Sequence, residues 1–312
     1  MFPSRTPVRV SWSWKMPPDP KRAVGLLGLG EVGQILAIDI HALTGREIRA
    51  YDILFEDPDS QPSLAAADIP GLERCASPRE LAIGSDVIIS AVTAAQDIAA
   101  AQSVAAALAE DTWYLDLNSV SPSTKHAAAE LIDGAGARYV EAAVMSPIEP
   151  LRCASPMLLG GPYATAFLAT AIKLGLISAS VFSTRIGQAS ATKMCRSVVV
   201  KGIESLLTES MLAARAYGVE QDVLGSLQGL ATNDDWEGFA RYMISRSLEH
   251  GARRAEEMRE VAATVNDVGV APLMSSACAE RQDLAASFPS APGDASLSDL
   301  LDMMSVDRNA DD

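Results

Sequence analysis

Apolar positions follow one rhythm up to about residue 186 and another beyond it. In the first part, short apolar runs at 23–27, 47–52, 86–92, 113–117, 137–144 and 177–182 read as strands bounded by turn residues. Between them, helical patterns occupy 34–43, 94–108 and 163–174, and another starts at Ser121-Pro122, with proline near its first turn. Strand and helix alternate, which predicts an α/β fold built on a doubly wound parallel sheet of the Rossmann type. From Gln188 onward the strand signals stop. Helical patterns cover 188–217, 220–230, 236–248 and 251–268, so an all-α domain is expected to follow the sheet, with Gly218 as the C′ stop of its first helix. These boundaries give an N-terminal extension at 1–20, a Rossmann domain at 21–185, an all-α domain at 186–286 and a Pro-, Ser- and Asp-rich tail at 287–312. The tail is expected to be mobile, with one short helix at 297–304.

The first helix of the second part carries a polar stripe. Turned at about 100° per residue, Ser190, Arg196, Ser197, Val200 and Glu204 all fall within about 60° of Lys193. Met194, Val198, Ile203 and Leu206 lie off that stripe and are expected to pack as core. The stripe is either a solvated face or the wall of a cleft, and periodicity does not choose between them.

Composition narrows the function classes. The chain of 312 residues is 48% hydrophobic with a net charge of −15 and a mean hydropathy of +0.13, so it is a globular protein. No basic patch for nucleic acid or anionic membrane is expected, and a small anionic substrate would need locally placed arginines. No apolar run reaches the roughly 18 residues of a membrane span. Residues 1–20 hold Trp12, Trp14 and three basic side chains but no apolar core of signal-peptide length. Four scattered cysteines and three scattered histidines argue against metal or disulfide use and for a reducing, cytoplasmic compartment.

The most specific motif is Gly28-Leu29-Gly30-Glu31-Val32-Gly33, set between a strand and a helix. Gly28 permits a tight turn, Gly30 lets a pyrophosphate approach the backbone, and Gly33 lets helix and strand pack closely. The helix start offers free N–H groups and the positive dipole end to phosphates. Asp52 ends the second strand nineteen residues beyond Gly33, the spacing of the carboxylate that accepts ribose hydroxyls. A 2′-phosphate would meet it as a like charge, so NAD is preferred, with NADP not excluded. Ligands of such sheets sit at the carboxyl ends of strands, which adds Val92-Thr93, Asn118-Ser119 and Met145-Ser146 as candidates. Arg196, one turn from Lys193, offers a bidentate fork for a carboxylate or phosphate, or a salt bridge to a neighbouring acid. The run His250 to Met258 is either a solvated ion-pair face or places Arg253 or Arg254 over a cleft, including that of a partner subunit.

Taken in order, Gly28 to Gly33, Asp86-Val-Ile-Ile89, Leu115 to Pro122, Glu141-Ala-Ala-Val-Met145, Met157-Leu-Leu-Gly-Gly161 and Gly187 followed by Lys193 resemble the β-hydroxyacid dehydrogenase superfamily, over residues 23–284. That superfamily includes 3-hydroxyisobutyrate and 6-phosphogluconate dehydrogenases. The likeness is greatest to its branch with a phosphogluconate-dehydrogenase-like C-terminal domain. The resemblance implies an NAD(P)-dependent oxidoreductase acting on a small β-hydroxy acid, a homodimer, and Lys193 as general acid/base. The position four residues on, usually an asparagine that orients lysine and substrate, is Ser197, and the one before it is Arg196. A Ser-Gly-Gly turn that normally binds the substrate carboxylate is replaced by Met145-Ser146-Pro147, and Pro147 has no N–H. A reductase of imines or keto acids, or a nucleotide-binding sensor or structural dimer that has lost catalysis, stays open beside the dehydrogenase.

Overall fold

The computed structural model describes residues 23–228, 235–267 and 271–305. The extension at 1–20 and the last turns foreseen at 230 and 268 lie outside the described residues. In chain order the first domain runs β1 (Ala23–Leu27), α1 (Glu31–Thr44), β2 (Ile48–Tyr51), α2 (Gln61–Asp68), β3 (Leu72–Arg74), α3 (Pro78–Gly84), β4 (Ser85–Ser90), α4 (Asp97–Ala105), β5 (Trp113–Asp116), α5 (Pro122–Gly134), β6 (Arg138–Val144), β7 (Met157–Gly160), α6 (Ala164–Lys173) and β8 (Ala179–Ser183). The helical part comprises α7 (Gln188–Tyr217), α8 (Glu220–Leu227), α9 (Trp236–Asp267), α10 (Leu273–Ala286) and α11 (Leu297–Ser305).

The strands form one sheet in the order β3-β2-β1-β4-β5-β6-β7-β8. Strand order reverses between β1 and β4, and there the chain leaves both strands at their carboxyl ends, opening the crevice in which such sheets bind ligands. Adjacent residues of each central strand serve opposite layers. Leu26, Ile89 and Leu115 face the core shared with α1 and α6, whereas Leu27, Ile88 and Tyr114 face the core shared with α3, α4 and α5. Helices α2, α3 and α5 begin alike: Ser60, Ser77 and Ser121 accept from the backbone N–H three residues on, and proline follows within the first turn.

The sheet departs from the expected all-parallel arrangement at β7, which runs antiparallel to β6. The connection from 145 to 156 has no helix long enough for a parallel crossover. Instead it folds back over α1, where Arg152 donates to Asp39 from Nε at 3.0 Å and from Nη2 at 2.7 Å. Strand β8 then pairs parallel with β7.

Three corrections concern the helical part. The breaks expected between 248 and 251 reduce to a kink inside the single helix α9, at His250 (φ −125°, ψ 15°). Gly251 follows it, and a Cβ there would come within 2.6 Å of the Gln282 carbonyl oxygen, so the glycine lets α9 and α10 touch. Helix α10 was not foreseen. The tail is not a tail over 287–305: Leu297, Leu300, Leu301 and Met304 of α11 are buried with Leu207, Met211, Leu224, Ile244 and Leu248. Its apolar residues at i, i+3, i+4 and i+7 need a partner surface, and α7 and α9 supply it. Met194 packs with Met258, Val261 and Cys278, with Val198 beside them, as their positions off the polar stripe suggested. Ile203 joins the second cluster as a half-buried residue, and the Leu206 side chain lies outside those described.

Candidate active site between the sheet and the long helices

The nucleotide end of the crevice is built by backbone requirements. Gly28 has φ 97°, and a Cβ on it would lie 2.5 Å from the Ala91 carbonyl oxygen; one on Gly33 would lie 2.3 Å from that of Gly28. Gly30 differs, because its missing Cβ points into open space. Helix α1 starts directly after it, and among the described residues no side chain caps that end. Open room beside uncapped N–H groups suits a pyrophosphate. Asp52 is held in place by accepting from Leu29 N at 2.7 Å and Leu54 N at 2.9 Å, which fixes its carboxylate at the carboxyl end of β2. A dinucleotide therefore has phosphate and ribose contacts of the right chemistry on residues of this chain.

The opposite wall of the crevice is a buried polar network. Asn118 Oδ1 accepts from Val92 N at 2.8 Å, while its Nδ2 donates to Ser90 Oγ at 3.0 Å and to Asp97 Oδ1 at 2.5 Å. Asp116 is fully buried with Lys125 at 2.7 Å and accepts from Tyr139 Oη at 2.6 Å. Burial, then the neighbouring Asp116, push Asp97 up to about 7. Asn118, a candidate ligand contact from its place at a strand end, lines the cleft, and its side chain holds the β4 and β5 ends together, which positions Val92 and Ser119.

Lys193 approaches from the first turns of α7, and its Nζ donates to Ser119 Oγ at 2.5 Å. The start of α7 has no local cap. Glu141, fully buried in β6, supplies one from a distance: its carboxylate accepts from Gly187 N at 2.6 Å and Ser190 N at 2.5 Å. The anion at the positive end of the helix fixes the turn that carries Lys193. Burial lowers Lys193 to about 8; Lys201, Lys125 and Arg253 act in the same direction, and Glu257 opposes them. Arg196, one turn along the same stripe, is exposed and is not among the cations that press on Lys193. Those cations come from α7 itself, α5 and α9.

The cleft beside Ser119 is lined on the sheet side by Val32, by 91–94 and by 117–119, and on the helical side by Arg253, Glu256 and Glu257. Glu257 sits between Lys201 at 2.7 Å and Arg253 at 2.5 Å. Burial favours its neutral form, but Lys201, Arg253 and Lys193 outweigh that and hold it at about 2, so it is a carboxylate throughout the working range. Arg254 points inward to a buried pair with Glu204. The run after His250 is thus split: Arg253 faces the cleft and Arg254 locks α9 to α7. At the next turn, Glu260 accepts from Ser121 N at 3.0 Å and Thr124 Oγ1 at 3.3 Å, fastening α9 to the start of α5.

Residues 23–182 match the family described as the NAD binding domain of 6-phosphogluconate dehydrogenase. The chain belongs to that family. Residues 214–285 of this family member also match a domain of unknown function, DUF1932. A conserved hypothetical protein from Sinorhizobium meliloti 1021 is 33% identical, with 91% of this chain and 96% of that one covered and a TM-score of 0.69. The mitochondrial 3-hydroxyisobutyrate dehydrogenase of Drosophila melanogaster is 22% identical over 216 residues, 68% of this chain and 64% of the relative. The fold is shared with a 3-hydroxyisobutyrate dehydrogenase from Salmonella typhimurium, at 18% identity, TM-score 0.65 and 90% and 99% coverage. Family and neighbours indicate a fold of the NAD(P)-dependent hydroxyacid dehydrogenase type and a nicotinamide cofactor.

Of the residues singled out from sequence, Val32, Val92, Thr93, Asn118 and Ser119 line the cleft, Lys193 reaches it through Ser119, and Asp52 is tied to the glycine-rich turn by accepting from Leu29 N. Ser197 is buried four residues beyond Lys193, but among the described residues the lysine hydrogen bonds to Ser119 instead. Met145 N donates to the Pro156 carbonyl at 2.8 Å, and the buried Ser146 Oγ meets no hydrogen-bond partner among the described residues; neither is on the cleft lining. The sequence reading missed Glu256 and Glu257 as cleft residues and Glu141 as the distant cap of α7. Charge alternation after His250 was the available signal for the first two.

Proposed function

We propose that this protein is an NAD-dependent dehydrogenase that oxidises a small β-hydroxy acid, or reduces the matching keto acid, with Lys193 as general acid/base. The observation that carries the proposal is Lys193 itself, partly desolvated and held on Ser119 at the mouth of a cleft that continues to the glycine-rich turn. In oxidation, neutral Lys193 Nζ takes the hydroxyl proton as the carbon–oxygen bond becomes double. The cofactor, when bound, supplies the hydride acceptor. Ser119 shares its hydroxyl with lysine and substrate and so keeps the proton path short. In the other direction the Lys193 ammonium returns the proton to the alkoxide.

The test is a panel of hydroxy acids assayed with NAD and NADP in parallel, following cofactor reduction. Turnover with NAD on at least one β-hydroxy acid is the expected result; cofactor binding without turnover across a broad panel would favour a sensor. The NAD preference rests on Asp52. Asp52→Ala is expected to weaken NAD by about 10-fold or more, the worth of a hydrogen bond to a charged acceptor, while NADP, relieved of a like charge, loses less. Equal losses for the two cofactors would remove Asp52 as the discriminator.

A further inference from the structure

Behind the cleft wall formed by 91–94 and 117–119 lies a charged cluster that the proposed chemistry does not use. Asp97 at the start of α4 is 1% exposed, and Asp116 in β5 and Lys125 in α5 are fully buried. Asp116 is well supplied: Lys125 lies at 2.7 Å, Asn118 N donates to it at 2.9 Å and Tyr139 Oη at 2.6 Å. The Asp97 carboxylate accepts from Asn118 Nδ2 at 2.5 Å, and its Oδ2 is buried without a partner among the described residues. A bare carboxylate oxygen in that setting is costly. Asp116 stands within hydrogen-bonding reach of it, so a proton shared by the two acids belongs on Asp97, the one with fewer donors. Burial, then Asp116, raise Asp97 to about 7, while Lys125 and the Asn118 bond pull the other way. Burial pushes Tyr114 of β5 and Tyr139 of β6 well above the ordinary tyrosine range, so both stay neutral. Helix α3 packs Leu81 and Ala82 with the apolar residues of α4, and α9 holds Arg253, Glu256 and Glu257 across the cleft. Lys125 offsets Asp116. The cluster is therefore neutral with the Asp97 proton and carries one negative charge without it.

We infer that Asp97, which meets the cleft only through Asn118, biases the site between the two redox forms of a nicotinamide cofactor. With its proton released, the buried charge behind Val92 and Asn118 favours the oxidised, positively charged ring over the reduced, neutral one. The connection is short, since Asn118 bonds Asp97 on one side and Val92 N on the other, at 2.8 Å. The inference rests on the proposed function only in needing a nicotinamide cofactor in this cleft; no hydroxy acid enters it. Binding of the oxidised form draws the proton off Asp97: one carboxylic acid becomes one carboxylate, and the proton goes to solvent. Binding of the reduced form releases none from this group. Asp97 is neutral below about 7 and ionised above it, so the preference for the oxidised form grows as pH rises through that value. Lys193, at about 8, acts with the same sign, because its ammonium repels the oxidised ring until it loses its proton. Variants separate the two contributions.

The experiment measures the Kd of NAD and of NADH for the full-length protein across neutral pH, by calorimetry in buffers of different ionisation enthalpy, so that protons released on binding are counted directly. In the wild type, NAD affinity relative to NADH is expected to rise about three- to tenfold as Asp97 ionises, the worth of one unit charge felt across a protein wall. Near neutrality NAD should release a fraction of a proton more than NADH does. Asp97→Asn keeps the shape and removes the charge; it should hold the ratio near its low-pH value through neutrality and abolish the extra release. Lys193→Met should keep both. Where Asp97→Asn does not fold, the wild type and Lys193→Met decide. A wild-type ratio that does not move with pH overturns the inference, and so does a shift that vanishes in Lys193→Met or survives in Asp97→Asn. Binding of neither cofactor form would sink the dehydrogenase reading as well, whereas NAD turnover with a flat ratio would sink this inference alone.

Discussion

Lys193→Ala is expected to lower kcat by about 10²- to 10⁴-fold, the usual worth of a positioned general acid/base, and to leave the Kd of NAD at its wild-type value. Burial and three neighbouring cations hold the lysine at about 8 against an ordinary value of 10.5, which gives the profile a sign. Only the neutral amine takes a proton, so kcat/KM for oxidation should rise with pH and level off above about 8. Reduction needs the ammonium and should fall over the same range. Glu257 is the neighbour that pulls Lys193 upward. Glu257→Gln should therefore move the inflection to lower pH. An oxidation profile flat from pH 6 to 9, or an inflection unmoved by Glu257→Gln, would place the titrating group elsewhere.

Glu141→Ala is expected to destabilise the protein by about 3–5 kcal/mol, because each of two buried N–H groups loses a charged acceptor and keeps its desolvation cost. At roughly 2–4 °C per kcal/mol for a chain somewhat smaller than this one, that is a drop in Tm on the order of 10 °C. Glu141→Gln keeps the shape but offers one carbonyl oxygen to two donors, and about half the loss should remain. Gly160→Ala provides a second route to the same carboxylate: a Cβ there would come within 2.7 Å of Glu141 Oε2. Activity should fall along with stability in each variant, since Ser190 belongs to the turn that carries Lys193. A Glu141→Ala variant within about 0.5 kcal/mol of wild type, the range of an ordinary surface substitution, would remove the distant cap from the account.

Much of this was readable from local spacing. Gly28, Gly30, Gly33 and Asp52 are specified by a turn, a close approach and a strand length, and those are short-range quantities. Lys193 is marked by the run of small residues before it. Strands β3 and β7 were not read as strands: Leu72-Glu73-Arg74 offers a single apolar residue, and Met157 to Gly160 is a short run that ends on glycine and reads as a turn. Helix α11 looked like tail because its environment of prolines and acids dominates the composition, yet its four apolar positions needed a partner that only the folded helices provide. Arg253, Glu256 and Glu257 sit on a helix whose surface pattern fits a solvated ion-pair face equally well, and the cleft that decides the matter is made by residues far away in sequence. Glu141 is the clearest such case, since nothing near residue 187 announces that a strand will cap the helix there.

The attachments at Glu141 and Glu260 divide the labour of the site in an unusual way. One carboxylate pins the floor, β6 to α7, and the other pins the roof, α9 to α5. Neither is on the cleft lining. Random mutagenesis scored by turnover alone would therefore return inactive clones at both positions and mistake joinery for chemistry. Their soluble yield and melting behaviour, scored beside turnover, would sort the builders of the room from its occupants.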